Sequence, residues 1–305
     1  MSKILITGAK GFIGTAVGRH LNASMPGELI VMSSRADTDL LLLDETERLV
    51  ESVMPDTVVH LAGMWGGRLF AKAWNADSMW ANSLMLLNLL GAAAQRGARH
   101  FIMTLPSLVY SSSVAGPARE DHFDIGGFPG NYGGFANFAR YAIQVCKTFE
   151  WQYGIRTTIL IAPEVYGAGG SFKPNESGWL HTLIADMARA GARSEATLSL
   201  TGEADAIVPQ INVLDVARAV AFAMHSDVRL MNIASGGRLT MGRAVEMVNA
   251  SLNQDIKVKW VADLGADPND TPIELDIGLM KAVGFTPEIE PEVGLKQTVD
   301  AFMSA

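Results

Sequence analysis

The sequence predicts an α/β fold built on a doubly wound parallel sheet, and three observations support this fold class. Short apolar runs alternate with helix-length periodic segments over the first half of the chain. A glycine-rich turn follows the first run, and 49% of the 305 residues are hydrophobic, enough for a large core. Such alternation is typical of a parallel sheet with helices on both faces. Crossovers between parallel strands are right-handed, and such a sheet therefore most simply adopts the doubly wound arrangement.

The predicted elements follow in order along the chain. Strands are predicted at 4–7, 29–32, 57–61, 100–104 and 157–161, and helices at 13–23, 45–53, 76–96 and 134–153. The pattern loosens after about residue 164, where 167–177 is rich in Gly, Pro, Asn and Ser and is predicted to be a loop. The remainder is predicted to hold helices at 178–190, 212–225 and 240–252, a strand at 256–260 and loops around 267–272.

Three glycines, Gly8, Gly11 and Gly14, form a GxxGxxG turn between the first strand and the first helix. In such a turn the first glycine allows a tight bend, the second lets the backbone approach a pyrophosphate, and the third lets the helix pack on the strand. The N–H groups at the helix N-terminus also favour phosphate. The turn therefore predicts a dinucleotide-binding (Rossmann) domain, and a coincidental glycine turn is the alternative.

We predict that this domain covers 1–164, with a return segment at about 207–225. A smaller C-terminal, substrate-binding part would then be made of 165–206 and 226–305. That part is expected to pack over the carboxyl edge of the sheet, where open α/β sheets bind their ligands.

The end of the second strand favours NADP over NAD as the cofactor. NAD-binding chains place an Asp or Glu there for the ribose 2′-OH, whereas this strand ends in Ser33, Ser34 and Arg35. An arginine beside hydroxyl donors suits a 2′-phosphate, although Asp37 follows closely and Arg35 has a plain surface role as its alternative. The predicted cofactor contacts are Gly8, Lys10, Gly11, Phe12, Ile13, Gly14, Ser33, Ser34, Arg35, Leu43, Asp44, Leu61, Ala62, Gly63, Pro163 and Val165.

Asp44 has two interpretations within this set. It is placed to meet the adenine amino group, and it is equally placed to cap a helix, because Glu47 follows three residues later as in a capping box.

The chain resembles the extended short-chain dehydrogenase/reductase family, also called the NAD-dependent epimerase/dehydratase family. The segments that carry the resemblance are 7–14, 58–67, Asn82, 153–154, 165–167, 171–174 and 270–276. Within the family the chain is similar to the GDP-L-fucose synthase branch, NADPH-dependent epimerase-reductases of nucleotide sugars. The resemblance implies a homodimer that pairs through the helices at 76–96 and 134–153, and substrate contacts from Lys173 and Asn175. Trp65 either lines an apolar substrate pocket or fills core.

The sequence departs from the family at six polar positions. By the resemblance, the tyrosine general acid/base becomes Phe135, and the lysine that lowers its pKa becomes Ala139. A phenyl ring carries no exchangeable proton and a methyl group carries no charge. The other four positions, which hold a serine, a cysteine, a histidine and an arginine in the family, become Pro106, Leu108, Gly178 and Val208. The candidates to replace the lost groups are Ser107, Tyr132 and His181, each with an ordinary structural role as its alternative.

Three functions remain open for this chain. The first is an NADP-dependent enzyme of altered chemistry that reduces, isomerises or cyclises a small biosynthetic intermediate. The second is a catalytically silent, NADP-binding regulatory or scaffold subunit, and the third is a nucleotide-sugar epimerase-reductase.

Composition and residue spacing argue against several other classes of protein. The net charge of −8 without a basic stripe argues against nucleic-acid binding. No apolar run reaches the roughly 18 residues of a membrane span, and no metal-ligating spacing of histidines and carboxylates occurs. The single cysteine, Cys146, excludes an internal disulfide. We therefore expect a cytoplasmic protein.

Overall fold

The fold is given by a computed structural model that describes residues 2–127, 133–173, 176–262 and 272–304. Its centre is a parallel sheet of six strands in the order β2-β1-β3-β4-β5-β9, and two further parallel pairs, β6 with β8 and β7 with β10, lie outside it. The strands are β1 (Lys3–Thr7), β2 (Leu29–Ser33), β3 (Thr57–His60), β4 (His100–Pro106), β5 (Arg156–Ala162), β6 (Glu164–Tyr166), β7 (Thr197–Thr201), β8 (Gln210–Asn212), β9 (Leu230–Asn232) and β10 (Lys257–Val261).

Helices cover both faces of the central sheet. They are α1 (Phe12–Ser24), α2 (Leu43–Val53), α3 (Arg68–Ala73), α4 (Asn75–Gln95), α5 (Gly133–Tyr153), α6 (Trp179–Ala192), α7 (Val213–Met224), α8 (Met241–Leu252), α9 (Gly278–Ala282) and α10 (Pro291–Met303). None of the helices in the described ranges is long and apolar enough to cross a membrane.

Alternation along β1 shows how the two faces are filled. Leu5 packs in a cluster with residues of α2, α4 and α5, whereas its neighbours Ile4 and Ile6 pack with α1 and α7. Successive residues of a strand point to opposite faces, so one strand contributes to two separate cores. The doubly wound α/β fold predicted from the sequence is confirmed.

A third cluster lies away from the central sheet. It joins α6, α8 and α10 through side chains such as Leu183, Val245 and Leu295. This cluster lies within the part of the chain that the sequence assigned to substrate binding, and that assignment stays a prediction.

The structure also contains elements that the sequence did not predict. The sixth strand of the central sheet, β9, lies in the segment assigned to the substrate-binding part and has only three residues. Helix α10 was missed because it begins with Pro291 and contains Gly294, two residues that usually mark turns. Proline is in fact favoured at the first helical position, and a Cβ at Gly294 would collide with the Tyr166 hydroxyl.

Candidate functional site

The glycine turn forms a cradle that side chains would fill. Gly8 has φ +69°, and a Cβ there would lie 2.5 Å from the amide nitrogen of Ala62. A Cβ at Gly14 would collide with the carbonyl oxygen of Gly8. The N-cap of α1, Gly11, offers no side-chain cap, and its amide donates to the Gly8 oxygen at 2.9 Å. This geometry fits a pyrophosphate, which needs close backbone approach and N–H donors.

The residues after β2 are those that the sequence predicts to contact the ribose of a dinucleotide. The Arg35 side chain is 84% exposed, and its guanidinium lies 3.8 Å from Asp39. Asp37 accepts hydrogen bonds from the Ser34 hydroxyl at 2.6 Å and the Ser34 amide at 2.9 Å, which lower the pKa of the carboxyl, as does the charge of Lys10. Positive and negative side chains therefore meet at this end of the sheet.

Two cavities flank the edge strand β2. One, of about 670 Å³, lies on the α1 side and is lined by Lys10, Arg19 and Met32 among others. The other, of about 610 Å³, includes Asp37 and Arg48 and lies towards α2.

One interpretation of Asp44 is wrong. Helix α2 begins at Leu43, so Asp44 is its second residue and not its N-cap. The carboxylate that reaches back to the preceding loop is Glu45, which accepts from the Asp39 amide at 2.9 Å. Leu43 and Asp44 are both exposed, and their contact with adenine stays a prediction.

The loop after β3, predicted to pass close to the cofactor, is held by a buried asparagine. Asn82 accepts from the Met64 amide at 2.7 Å and donates to the Met64 carbonyl at 3.3 Å. A Cβ at Gly63 would collide with the Trp65 indole, so a larger residue there would displace this ring. Asn82 therefore fixes the loop that carries Leu61 to Trp65.

An aromatic cluster occupies the place where the resemblance puts the catalytic tyrosine. It consists of Trp65, Phe70, Phe135 and Phe138. The Phe135 ring is only 2% exposed, with ring centroids 5.2 Å from Trp65 and 6.3 Å from Phe70. Trp65 also lies 5.7 Å from Phe138, yet the residue keeps 37% of its surface exposed. Trp65 thus packs on one side and is open on the other.

The other replaced positions are equally apolar. Ala139 is fully buried in the core between the sheet and α5. Its neighbour Arg140 donates to the carbonyls of Val109, Gly126 and Ile125 at 3.2, 2.7 and 2.5 Å, so it braces the segments that precede α5.

Ser107, a predicted candidate, begins a single 3₁₀ turn directly after β4. It is half-buried, and its carbonyl accepts from the Tyr110 amide at 3.0 Å. Its catalytic role stays a prediction. Val208, at the position of the family's arginine, is buried.

His181 lies inside a row of aromatic rings. Its ring centroid is 5.6 Å from Phe12 of α1 and 5.0 Å from Phe172, which in turn lies 4.7 Å from Phe302 of α10. Its Nε2–H donates to the Gly167 carbonyl at 3.0 Å, and burial lowers the pKa of the imidazole. A neutral, packed histidine explains every one of these contacts, and the acid/base role stays a prediction.

Lys173 is exposed, and its ammonium pairs with Glu176 at 3.3 Å, while the Ser171 hydroxyl donates to the same carboxylate at 3.0 Å. Pro163 is buried and Val165 half-buried at the carboxyl end of β5. The predicted sites Tyr132 and Asn175 lie outside the described residues.

One charged group at this edge of the sheet was not predicted from the sequence. Glu164 begins β6, one residue after the end of β5, and its Oε1 accepts from the Leu180 amide at 2.7 Å, at the start of α6. A Cβ at Gly178 would lie 2.5 Å from that oxygen. Burial raises the pKa of the carboxyl to about 7, although the amides of Leu180 and Trp179 oppose this. An acid placed one residue beyond a buried strand was the available signal.

Comparison with known proteins shows the family of this chain. The family model of the NAD dependent epimerase/dehydratase family matches residues 4–234. The chain belongs to this family. The resemblance predicted from the sequence is therefore confirmed.

Several known proteins are similar to the chain over nearly its whole length. A rice protein (Oryza sativa subsp. japonica) named probable GDP-L-fucose synthase 1 is 26% identical over 300 residues, covering 97% of this chain and 90% of the rice protein. The crystal structure of a GDP-6-OMe-4-keto-L-xylo-heptose reductase from C. jejuni has a TM-score of 0.89 at 16% identity, covering 99% and 98% of the two chains. A GDP-L-fucose synthetase from Naegleria fowleri bound to NADP has a TM-score of 0.88 at 18% identity, covering 99% and 93%.

Proposed function

We propose that the chain is an NADP-binding oxidoreductase of this family whose active site works without a tyrosine–lysine pair. Its substrate is a small biosynthetic intermediate, and its reaction is a reduction, an isomerisation or a cyclisation. Bound NADPH would supply a hydride. The protein's own residues would supply binding and orientation in a site that excludes water, an effect that by itself can be large.

The burial of Phe135 is the observation that carries this proposal. Its ring lies against Trp65 and Phe70, and the position four residues on, Ala139, is also buried. Neither side chain can exchange a proton or hold a charge. Polar transition-state contacts at these two positions are therefore replaced by apolar packing, which suits a less polar substrate than a sugar.

The cofactor half of the proposal is supported by the glycine cradle and the charges around β2. Gly8 and Gly14 leave room for a pyrophosphate, and Lys10 and Arg35 are cations near the end of β2. The NADP-bound relative supports NADP in preference to NAD. A 2′-phosphate would draw the Arg35 guanidinium away from Asp39.

Dissociation constants for NADPH and NADH test the predicted preference for NADP. In Arg35→Ala we expect NADPH affinity to fall about 10-fold, the effect of losing one exposed charge-assisted contact, while NADH affinity stays unchanged. Arg96→Ala is the matched control, because Arg96 is an exposed arginine paired with Glu51 at 3.6 Å, outside the predicted cofactor contacts. An equal loss for both dinucleotides in Arg35→Ala would contradict the 2′-phosphate contact.

Measurements of turnover test the part of the proposal that concerns catalysis. The purified protein is examined for bound dinucleotide by absorbance and mass, and NADPH oxidation is followed with uncharged carbonyl compounds and with GDP-4-keto-6-deoxymannose. We expect oxidation with at least one uncharged carbonyl. A protein that binds NADPH and turns over none of these compounds is the silent subunit, and one that binds no dinucleotide refutes the proposal entirely.

The second candidate, a nucleotide-sugar epimerase-reductase, is favoured by one observation. The rice relative and the E. coli protein named GDP-L-fucose synthase cover 97% and 99% of this chain at 26% and 24% identity. Turnover of GDP-4-keto-6-deoxymannose at a rate usual for enzymes would establish it.

We also propose a homodimer that pairs α4 and α5 of two copies. The α4–α5 pair carries exposed apolar side chains, with Trp80 60%, Leu87 37%, Tyr141 38% and Trp151 87% exposed. Helix pairs with such faces bury them by packing into four-helix bundles.

Light scattering after gel filtration tests the dimer. Leu87→Lys combined with Tyr141→Lys should give monomers, because charges in the centre of an apolar interface are not solvated. Leu279→Lys is the control, since Leu279 is an exposed leucine on α9. A wild-type protein that elutes as a monomer at all concentrations would refute the pairing.

A further inference from the structure

The N-terminus of α6 is closed by an acidic side chain from another element. Its N-cap, Gly178, has no side chain to cap the helix. Glu164, on β6, takes that place, because its carboxylate accepts from the amides of Leu180 at 2.7 Å and of Trp179. A Cβ at Gly178 would lie 2.5 Å from the Glu164 Oε1, so a side chain there would displace the carboxylate.

This end of α6 would otherwise attract an anion. The N-terminus of a helix carries about half a positive charge and free N–H donors, so phosphates and carboxylates bind there readily. The helix has 14 residues, long enough for a full dipole. In this chain the donors already point at an internal carboxylate.

The surroundings offer an incoming anion little compensation. The nearby cation Lys173 is paired with Glu176 at 3.3 Å, and the Ser171 hydroxyl donates to that same carboxylate at 3.0 Å. Gln210, the register partner of Glu164 on β8, is neutral and donates to the Ser235 hydroxyl at 2.5 Å. An anion placed at this helix end would therefore meet a carboxylate first.

The same group lies where the substrate is expected. β6 begins one residue after β5 ends at Ala162, at the carboxyl edge of the sheet, where open α/β sheets bind ligands. The flanking residues Pro163 and Val165 are predicted cofactor contacts. Glu164 thus lies between the predicted cofactor site and α6.

We propose that Glu164 is a specificity-determining residue that excludes anionic substrates, nucleoside diphosphates in particular, from the N-terminus of α6. The substrate that this site accepts is uncharged where it meets α6. This inference rests on the proposed function, because it concerns the substrate of the same cleft, and it separates the first candidate function from the second.

Calorimetric titration with GDP and with GDP-mannose tests the inference, using protein saturated with NADPH at pH 8, where Glu164 is ionised. Wild type should show no binding. Glu164→Gln, which keeps an oxygen for the Leu180 amide but carries no charge, should bind GDP at least about 10-fold more tightly than wild type, since juxtaposed like charges oppose binding strongly. Glu51→Gln removes an exposed charge on α2, where Glu51 pairs with Arg96 at 3.6 Å, and should leave GDP binding as in wild type.

The outcomes separate the two proposals. A wild type that fails to bind NADPH refutes the proposed function. A wild type that binds NADPH and also binds GDP with micromolar affinity refutes the exclusion alone, and so does Glu164→Gln that binds GDP no better than wild type. If Glu164→Gln does not fold, as judged by its thermal unfolding, Glu164→Asn provides the second uncharged variant.

Discussion

The pKa of Glu164 predicts an unusual dependence of stability on pH. Burial raises the pKa of this carboxyl from 4.5 to about 7 in the folded protein. Between these values the unfolded chain releases a proton that the folded chain keeps. The free energy of unfolding therefore falls as pH rises, by about 1.4 kcal/mol for each pH unit. The total loss from this one group is about 3 kcal/mol, complete above pH 7 and absent below pH 4.5.

Urea unfolding of wild type and Glu164→Gln at pH 4.5 and pH 8 measures this effect. Glutamine keeps the acceptor for the Leu180 amide and cannot ionise, so other titrating groups cancel when the two proteins are compared at one pH. We expect Glu164→Gln to gain about 3 kcal/mol relative to wild type on going from pH 4.5 to pH 8. The exposed Glu176, whose pKa is lowered by its bond to the Ser171 hydroxyl, serves as control in Glu176→Gln and should show no such gain.

A particular result would refute the reasoning. If the stability difference between wild type and Glu164→Gln moves in the opposite direction with pH, the α6 N-terminus stabilises the carboxylate more than burial destabilises it. The pKa of Glu164 would then lie below 4.5, and the charge would be a stabilising cap.

Three further predictions concern stability, each followed by thermal or urea unfolding. Ala139→Lys should destabilise the protein by several kcal/mol more than the uncharged Ala139→Met, because position 139 is fully buried; equal losses would mean that the lysine reaches solvent or a ligand. Gly8→Ala should lower the free energy of unfolding by at least about 1 kcal/mol and abolish dinucleotide binding, because φ is +69° and the added Cβ would collide with the backbone of Ala62. Retained binding would contradict the prediction that the glycine turn holds the pyrophosphate. Tyr110→Phe should lower the free energy of unfolding by about 1–3 kcal/mol, because the Asn232 Oδ1 loses the hydroxyl that lies 2.6 Å from it. The control is Tyr153→Phe, at an exposed tyrosine, which should not change the free energy of unfolding measurably.

Local patterns made most of the fold predictable. The run from β1 through the glycine turn into α1 is specified by adjacent residues, and the structure starts and ends these elements within one residue of the prediction. Helix α10 was not predicted because Pro291 and Gly294 usually mark turns, and the reason for a glycine at 294 is its packing against the distant Tyr166. The three residues of β9 are too few to show any period.

Only those parts of the candidate site that are formed by residues adjacent in sequence could be predicted. The glycine cradle could be read from spacing, whereas the packing of Trp65 on Phe135 joins residues from two separate elements and leaves no sequence period. The role of Glu164 was missed for the same reason. Its function as a cap exists only because β6 and the start of α6 meet in space.

The row of rings from Phe12 through His181 and Phe172 to Phe302 has a consequence for the glycine turn. Phe12 follows Gly11 directly and is the first residue of α1, whereas His181 belongs to α6 and Phe302 to α10. The start of α1 is therefore held by side chains that are distant along the chain. The order of the phosphate cradle depends on this long-range packing as well as on its own glycines.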